Sequence, residues 1–161
     1  MTTTALRTQR LTLTPVEAAQ RAELHALFTD PAVRQYLLDD QVVGMDWIDD
    51  VIATSQRQFA EAGYGLWAVR LPDEPPLIGV CGFVVISQLQ LLYALRPAYW
   101  GRGYATEASR AVIDYGFRKA GMAEIVAAAD VPNAPSFGVM KRLGMVYAKT
   151  EAGIAYYRLP T

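Results

Sequence analysis

Two short stretches of this 161-residue sequence hold residue types that can meet an anion or a reacting carbonyl. The first is "LRPAYWGRGYATEASR", Leu95 to Arg110, where Gly101 and Gly103 flank Arg102 just before a helix-forming run. A Gly-rich turn feeding a helix points backbone N–H groups into one concavity, and the helix N-terminus adds partial positive charge. Glycine lets a phosphate approach the backbone, and an Arg adds charged hydrogen bonds to it. Ala105 and Ala108 are small on the face that must pack close to a sheet. The second stretch is "NAPSFGVMKRLG", where Asn133 and Ser136 open another helix. Each has a plain structural reading too, a tight turn and an ordinary N-cap. Two other phosphate sites are excluded. A dinucleotide fingerprint needs a third small residue where Thr106 stands, and a P-loop needs Gly-Lys-Ser/Thr.

The elements around these motifs decide whether they meet. "RLTLTP" (Arg10 to Pro15) alternates apolar and polar residues and predicts a first strand, stopped by the proline. "VEAAQRAELHALFTD" has helical spacing, and Asp30 with Pro31 opens a second, short helix. A third helix, with Asp46 as cap, carries Trp47, Ile48, Val51, Ile52 and Phe59 inward and ends at Gly63. Strands follow at Tyr64 to Leu71, Leu77 to Ile86 and Leu89 to Leu95. A long helix then runs from Tyr104 to Ala120, followed by a strand from Glu124 to Asp130. After the second motif helix come two strands, "MVYAKT" and "IAYYRL". This order predicts an α/β (α+β) chain: a mixed sheet with a helix at each crossover, in one domain over residues 1–161. Both motif helices then start at the same end of adjacent parallel strands, so their donors converge on one cleft.

Composition narrows the partners. Apolar residues make up 52% and charged residues 19%, with a formal net charge of -1. That is a globular balance without the broad basic field that nucleic acid requires. The N-terminal "MTTTALRTQR" has no apolar signal-peptide core, and "LIGVCGFVVI" is too short to span a bilayer. No nucleic-acid, membrane or metal partner is expected, and the expected location is cytoplasmic. Cys81 is the only cysteine, so it has no intrachain disulfide partner and reads as a buried core residue. His25, the only histidine, sits on the amphipathic first helix and reads as structural.

With these two motifs at this spacing, the chain resembles the GNAT superfamily of acetyl-CoA-dependent N-acyltransferases. Within it, the chain looks most like the branch of the RimJ and RimL ribosomal-protein N-terminal acetyltransferases. "LRTQRLTLTPV" is similar to that branch's opening strand and "DPAVRQYL" to its first-helix region. "LIGVCGF" and "LLYALRPAYWGRGYATEA" resemble its central strands and cofactor loop, and "NAPSFGVMKRLGM" its last helix. The resemblance implies a GNAT fold, with about seven strands, a splay between the fourth and fifth, and about four helices. It implies acetyl-CoA as the acyl donor. The pyrophosphate loop falls on Trp100, Gly101, Arg102, Gly103, Tyr104 and Ala105, with Thr106 opening the helix. Backbone around Tyr93 and Leu95 would pair with the pantetheine arm, Asn133 would hydrogen-bond it, and Ser136 would lie near the sulfur. Arg142 has two readings, a cofactor contact or a solvated helix residue.

The implied reaction moves acetyl directly to a primary amine, without a covalent enzyme intermediate. The Leu95 N–H is the expected oxyanion donor. The superfamily's usual acid, a Tyr seven residues after the Asn, falls on Met140, which has no proton to give. Ser136, Tyr147 or water must serve, and Ser136 is the residue chosen here. The branch's Glu on the strand before the cofactor loop falls on Gln90, which does not titrate. Asp130, at the end of the strand leading to Asn133, is the candidate base, with Asp39 and Asp40 as alternatives. Glu107 fits the helix dipole.

Lacking an obvious strong base, the chain suits an easily deprotonated amine. An α-amine costs about 1.4 kcal/mol to deprotonate at neutral pH and a lysine amine about 4.6. The expected acceptor is a peptide N-terminus or a small amine. The alternative function is a CoA-binding module with little catalysis, acting as sensor or assembly partner, which Met140 and Gln90 support. A third is a small structural protein without ligand. A monomer or a homodimer is expected, the dimer through the apolar tail strand.

Overall fold

The computed structural model describes residues 4–161, apart from the side chain of Tyr36. Residues 1–3, the start of the N-terminal stretch read above for a signal peptide, lie outside the described residues. At one sheet edge β1 (Leu6–Arg7) pairs antiparallel with β2 (Thr12–Pro15). Helices α1 (Arg21–Thr29), α2 (Pro31–Leu37) and α3 (Met45–Ala62) follow. Strands β3 (Leu66–Arg70), β4 (Gly79–Ile86) and β5 (Gln88–Leu95) continue the antiparallel sheet. Helix α4 (Tyr104–Arg118) crosses over to β6 (Glu124–Asp130), which lies parallel to β5. Helix α5 (Ala134–Arg142) leads to the antiparallel hairpin of β7 (Val146–Glu151) and β8 (Ile154–Pro160). The strand order is β1-β2-β3-β4-β5-β6-β8-β7.

This is the mixed sheet expected from the sequence, with differences that have local causes. The predicted first strand is β2, and a short strand not predicted, β1, precedes it. Thr8 N donates to Leu11 O and Leu11 N to the Thr8 hydroxyl, which folds residues 8–11 into a turn. Among the described residues the sheet has eight strands, against the about seven expected, and the five α-helices are those read from the sequence, α2 included, where the resemblance implied about four. Helix α1 starts only at Arg21, after a 3-10 turn at Ala18–Gln20. The N-cap of α3 is Gly44 with extended backbone, and Asp46, the predicted cap, lies inside the first turn. Trp47, predicted to point inward, is 37% exposed and meets Phe28 only edge-on, with ring centroids 5.5 Å apart. It sits one position off the stripe formed by Ile48, Ile52 and Ser55.

Strand alternation divides the core between two faces. Cys81, Phe83, Leu91 and Leu95 face Val112 of α4 and Met140 of α5. Val80 and Ala68 face Leu24, Phe28 and Ile48 of the first helices. Burial pushes the Cys81 thiol up to about 12, against the pull of Ser109 at 3.6 Å, so it is an inert core residue. His25 Nε2 lies 3.0 Å from Val43 O, a structural contact. Among the described residues no helix is long and apolar enough to cross a membrane.

Candidate functional site

Strands β5 and β6 share a single bridge pair, Leu91 with Ala127. Beyond it their C-terminal ends part, at the expected splay, and a cleft of about 890 Å³ opens between them. The phase of the β4–β5 ladder decides what β5 offers to this cleft. Arg96 N donates to Ile78 O at 2.8 Å, and Ala94 pairs with Val80. The alternation of an antiparallel ladder then turns the backbone groups of Tyr93 and Leu95 away from β4, toward the open side. The Leu95 carbonyl is already occupied by the Trp100 indole N–H at 2.8 Å. Its N–H is left facing the cleft.

The loop after β5 reaches α4 through two glycines in left-handed backbone, Gly101 (φ +73°) and Gly103 (φ +81°). A Cβ on Gly101 would meet nothing within 4 Å, and one on Gly103 only Arg10 Nη2 at 3.4 Å. Positive φ, rather than crowding by the protein, is therefore what demands glycine here. Gly103 is the N-cap of α4 and brings no side-chain cap. The first helical bond is Glu107 N to Gly103 O. Among the described residues, the amides of Gly101 to Thr106 have no protein acceptor.

An acid–base clamp holds this loop from behind. Glu107 accepts from the Thr8 hydroxyl at 2.5 Å, from Arg10 N at 2.9 Å and from Arg10 Nε at 2.7 Å. Burial works against its charge, yet these bonds hold its carboxyl below the usual range. Arg10 Nη1 also donates to Arg102 O, and its guanidinium lies 4.4 Å from the Tyr104 ring centre. The Arg102 side chain is exposed, 5.9 Å from the Tyr99 ring centre and outside the cleft wall.

Helix α5 supplies the opposite wall. Asn133 Oδ1 accepts from Ser136 N at 3.4 Å and caps the helix. From across the splay the Tyr93 phenol meets Ser136 Oγ at 2.6 Å and donates to Ser136 O at 3.0 Å. Burial raises the Tyr93 phenol to about 12, against the pull of that serine. Met140 is fully buried in the core. Arg142, the last residue of α5, lines the cleft and donates from Nε to Thr106 Oγ1 at 3.3 Å, tying the C-terminal end of α5 to the first turn of α4. It is exposed and stands beside the loop, which is compatible with both of its sequence readings.

Asp130 ends β6, half-buried, and its carboxyl is raised by burial and then by the charge of Asp39. It does not line the cleft. Asp40 is bonded to Arg34 at 2.9 Å. Gln90 is buried and donates to Ile86 O within its own hairpin. Tyr147 is 58% exposed and bonded to Thr150 on the outer strand, away from the cleft.

The cleft thus gathers Tyr93, Leu95, Trp100, Gly101, Gly103, Tyr104, Ala105, Thr106, Asn133 and Ser136. Arg102 and Asp130 stand outside its wall. Sequence reasoning assigned Tyr93 for its backbone and missed its phenol. The available signal was a lone Tyr between Leu91 and Leu95 on the strand face turned to α5. It also missed the wall that α2 provides through Val33, Gln35 and Leu37.

Residues 10–146 match the family model of the acetyltransferase (GNAT) domain. The protein YkkB of Bacillus subtilis is 34% identical over 159 residues, covering 91% of this chain and 88% of its own. The N-acetyltransferase p20 of Bacillus licheniformis is 29% identical over 142 residues, covering 86% and 80%. An acetyltransferase from Agrobacterium tumefaciens superposes with a TM-score of 0.87 at 22% identity, covering 100% of this chain and 96% of that one. The RimL ribosomal L7/L12 alpha-N-protein acetyltransferase, solved in complex with coenzyme A, superposes at 0.80 with 18% identity, covering 97% of both. The likeness to these two structures is one of fold.

Proposed function

The chain belongs to the GNAT family, as an N-acetyltransferase that uses acetyl-CoA, and from that premise we propose that it acetylates an easily deprotonated primary amine, on a protein N-terminus or a small molecule. The observation that carries this reading is the set of unoccupied amides from Gly101 to Thr106, at the mouth of a cleft between splayed strands. These amides and the α4 N-terminus would hold the pyrophosphate of acetyl-CoA. Tyr93 and Leu95 backbone would meet the pantetheine arm, with Asn133 on its other side. The Leu95 N–H would then stabilise the tetrahedral oxyanion. Ser136 would donate a hydrogen bond to the leaving thiolate.

Asp130 is the base of this proposal. Its raised affinity for a proton suits a group that must take one from an amine. Standing outside the wall, it would reach the amine through water. Gln90 and Met140 supply no acid or base, so the reaction depends on an amine that loses its proton readily. An N-terminal α-amine fits that demand, as does the likeness of fold to RimL. The same two residues favour a second reading, a CoA-binding module with little turnover. A cytoplasmic location fits the lone reduced Cys81. We take the chain to act as one catalytic unit, as monomer or homodimer; the tail strand expected to pair across a dimer, β8, is already paired with β6 and β7, which leaves the exposed outer strand β7 as the available edge.

The test is calorimetric binding of acetyl-CoA together with free-thiol release across a panel of amines and peptides. Binding with amine-dependent thiol release, strongest for α-amines, is the expected result. Binding without release for any acceptor supports the module reading, and failure to bind removes both.

A further inference from the structure

We propose that Tyr93 is a positioning residue for acetyl transfer, its phenol fixing the Ser136 hydroxyl against the cleft. The inference rests on the proposed role of Ser136 and assigns what makes that serine effective.

The geometry is specific. Tyr93 and Ser136 belong to β5 and α5, on opposite sides of the splay, where the two strands share no ladder. Tyr93 reaches across and places its oxygen 2.6 Å from Ser136 Oγ and 3.0 Å from Ser136 O. Both residues line the cleft. One phenol proton aimed at the two serine oxygens leaves the serine's own proton without a protein acceptor. That proton is then free to point into the cleft. The other arrangement has the phenol donate to Ser136 O and accept from Ser136 Oγ, turning the serine proton inward. A negative charge growing on sulfur favours the first arrangement. The Tyr93–Ser136 bond is thus worth more at the transition state than before it, which is what raises kcat.

Tyr93 is not itself the acid. Its phenol is raised to about 12 by burial. Handing its proton to a thiolate whose acid has a pKa near 8.5 carries a handicap of roughly three thousand-fold. The balance needs no such step. The amine nitrogen bonds to the acetyl carbon, the carbon–sulfur bond breaks, and the proton lost by nitrogen reaches sulfur through solvent. Tyr93 and Ser136 finish with the protons they began with.

The experiment is a double-mutant cycle of Tyr93→Phe, Ser136→Ala and both, measured by kcat, acetyl-CoA affinity and melting temperature. It uses an acceptor for which chemistry limits turnover. Tyr93→Phe keeps the ring and removes the hydroxyl. We expect it to lower kcat about tenfold with affinity held within about threefold, and to add nothing once Ser136 is Ala. If Ser136→Ala lowers kcat but Tyr93→Phe does not, the positioning role is wrong and the serine stands. If the two losses multiply in full, Tyr93 does not act through Ser136. A drop in melting temperature and affinity with kcat unchanged makes the phenol a structural tie only. If Ser136→Ala itself leaves kcat unchanged, the reading of the serine fails and the inference falls with it.

Discussion

Two helix N-termini face the cleft, and their first turns are handled in opposite ways. Every helix leaves its first amides without intrahelical partners. At α5 the Asn133 side chain takes one of them. At α4 the cap is Gly103, and nothing among the described residues takes the amides from Gly101 to Thr106. Capping preference favours Asn over Gly only modestly, so leaving α4 bare costs the fold little. A bare end concentrates positive potential where a phosphate can approach, while a capped end presents side chains instead. One end is suited to hold charge, the other to place an amide and a hydroxyl beside the reacting atoms.

The largest effects should come from breaking the bare end. Gly103→Val puts a β-branched residue at φ +81°, with its Cβ against Arg10 Nη2 of the clamp, and so strains the loop that carries the free amides. Acetyl-CoA affinity should fall by about a hundredfold, a loss near 2.7 kcal/mol. Gly103→Asn, which tolerates left-handed backbone, should lose less. Calorimetry giving the wild-type affinity for the Val variant would end the case for α4 as the phosphate site.

Next is the acceptor side, where α5 begins. Asp130→Asn should lower kcat/KM by about 10², the lower end for a general base. The acid limb of the wild-type profile should lie above the usual carboxylate range, because burial and Asp39 raise the Asp130 carboxyl. Asp39→Asn should move that limb to lower pH. The stability sign is opposite to that of a salt-bridged acid. A raised folded pKa means that ionising Asp130 costs stability above that pKa. Asp130→Asn should therefore melt higher than wild type near neutral pH. The gain should vanish as pH falls below the ordinary Asp value. A pH limb that ignores both substitutions would remove Asp130 from the chemistry.

Ser136→Ala ranks third, because a thiol of pKa about 8.5 is a fair leaving group and needs modest help. A tenfold fall in kcat is expected, the low side of general acid–base effects, with acetyl-CoA affinity within about threefold. The bare end should be insensitive to it. A large loss of affinity would mean that α5 holds the cofactor and blur the contrast between the two ends.

The cofactor half of the cleft was readable in the sequence because it is built from backbone demands. Positive φ at residues 101 and 103 selects glycine, and a helix start after an extended strand selects Asn133 with Pro135. Such demands act locally and leave marks in adjacent residues. The other features depend on residues far apart in the chain. The Tyr93 phenol meets a serine 43 positions away across a gap without ladder bonds. Asp130 is raised by burial and then by the charge of Asp39, both products of the tertiary fold. Helix α2 gave its caps in sequence but not its role as a cleft wall. The extra strand β1 was not readable for a local reason, since Thr8 folds the chain back on Leu11 with no Gly or Pro to announce the turn.

The smallest expected effect tests the capped end. Asn133 Oδ1 stands 3.4 Å from Ser136 N, at the long limit for an N–H···O bond, so the cap is weak. Asn133→Ala should cost about 0.5 kcal/mol, the low end for caps, and lower the melting temperature by about 1–3 °C. The side-chain NH2 is a separate matter, since capping uses only the oxygen. If that NH2 also bonds the pantetheine arm, acetyl-CoA affinity should fall further than the stability does, by about five- to tenfold. Asn133→Ser separates the two uses. Serine caps about as well as asparagine but has no NH2, so it should restore the melting temperature without restoring affinity. If serine restores both, or alanine lowers only the melting temperature, Asn133 is a cap alone, and the contribution of α5 to the cleft narrows to Ser136.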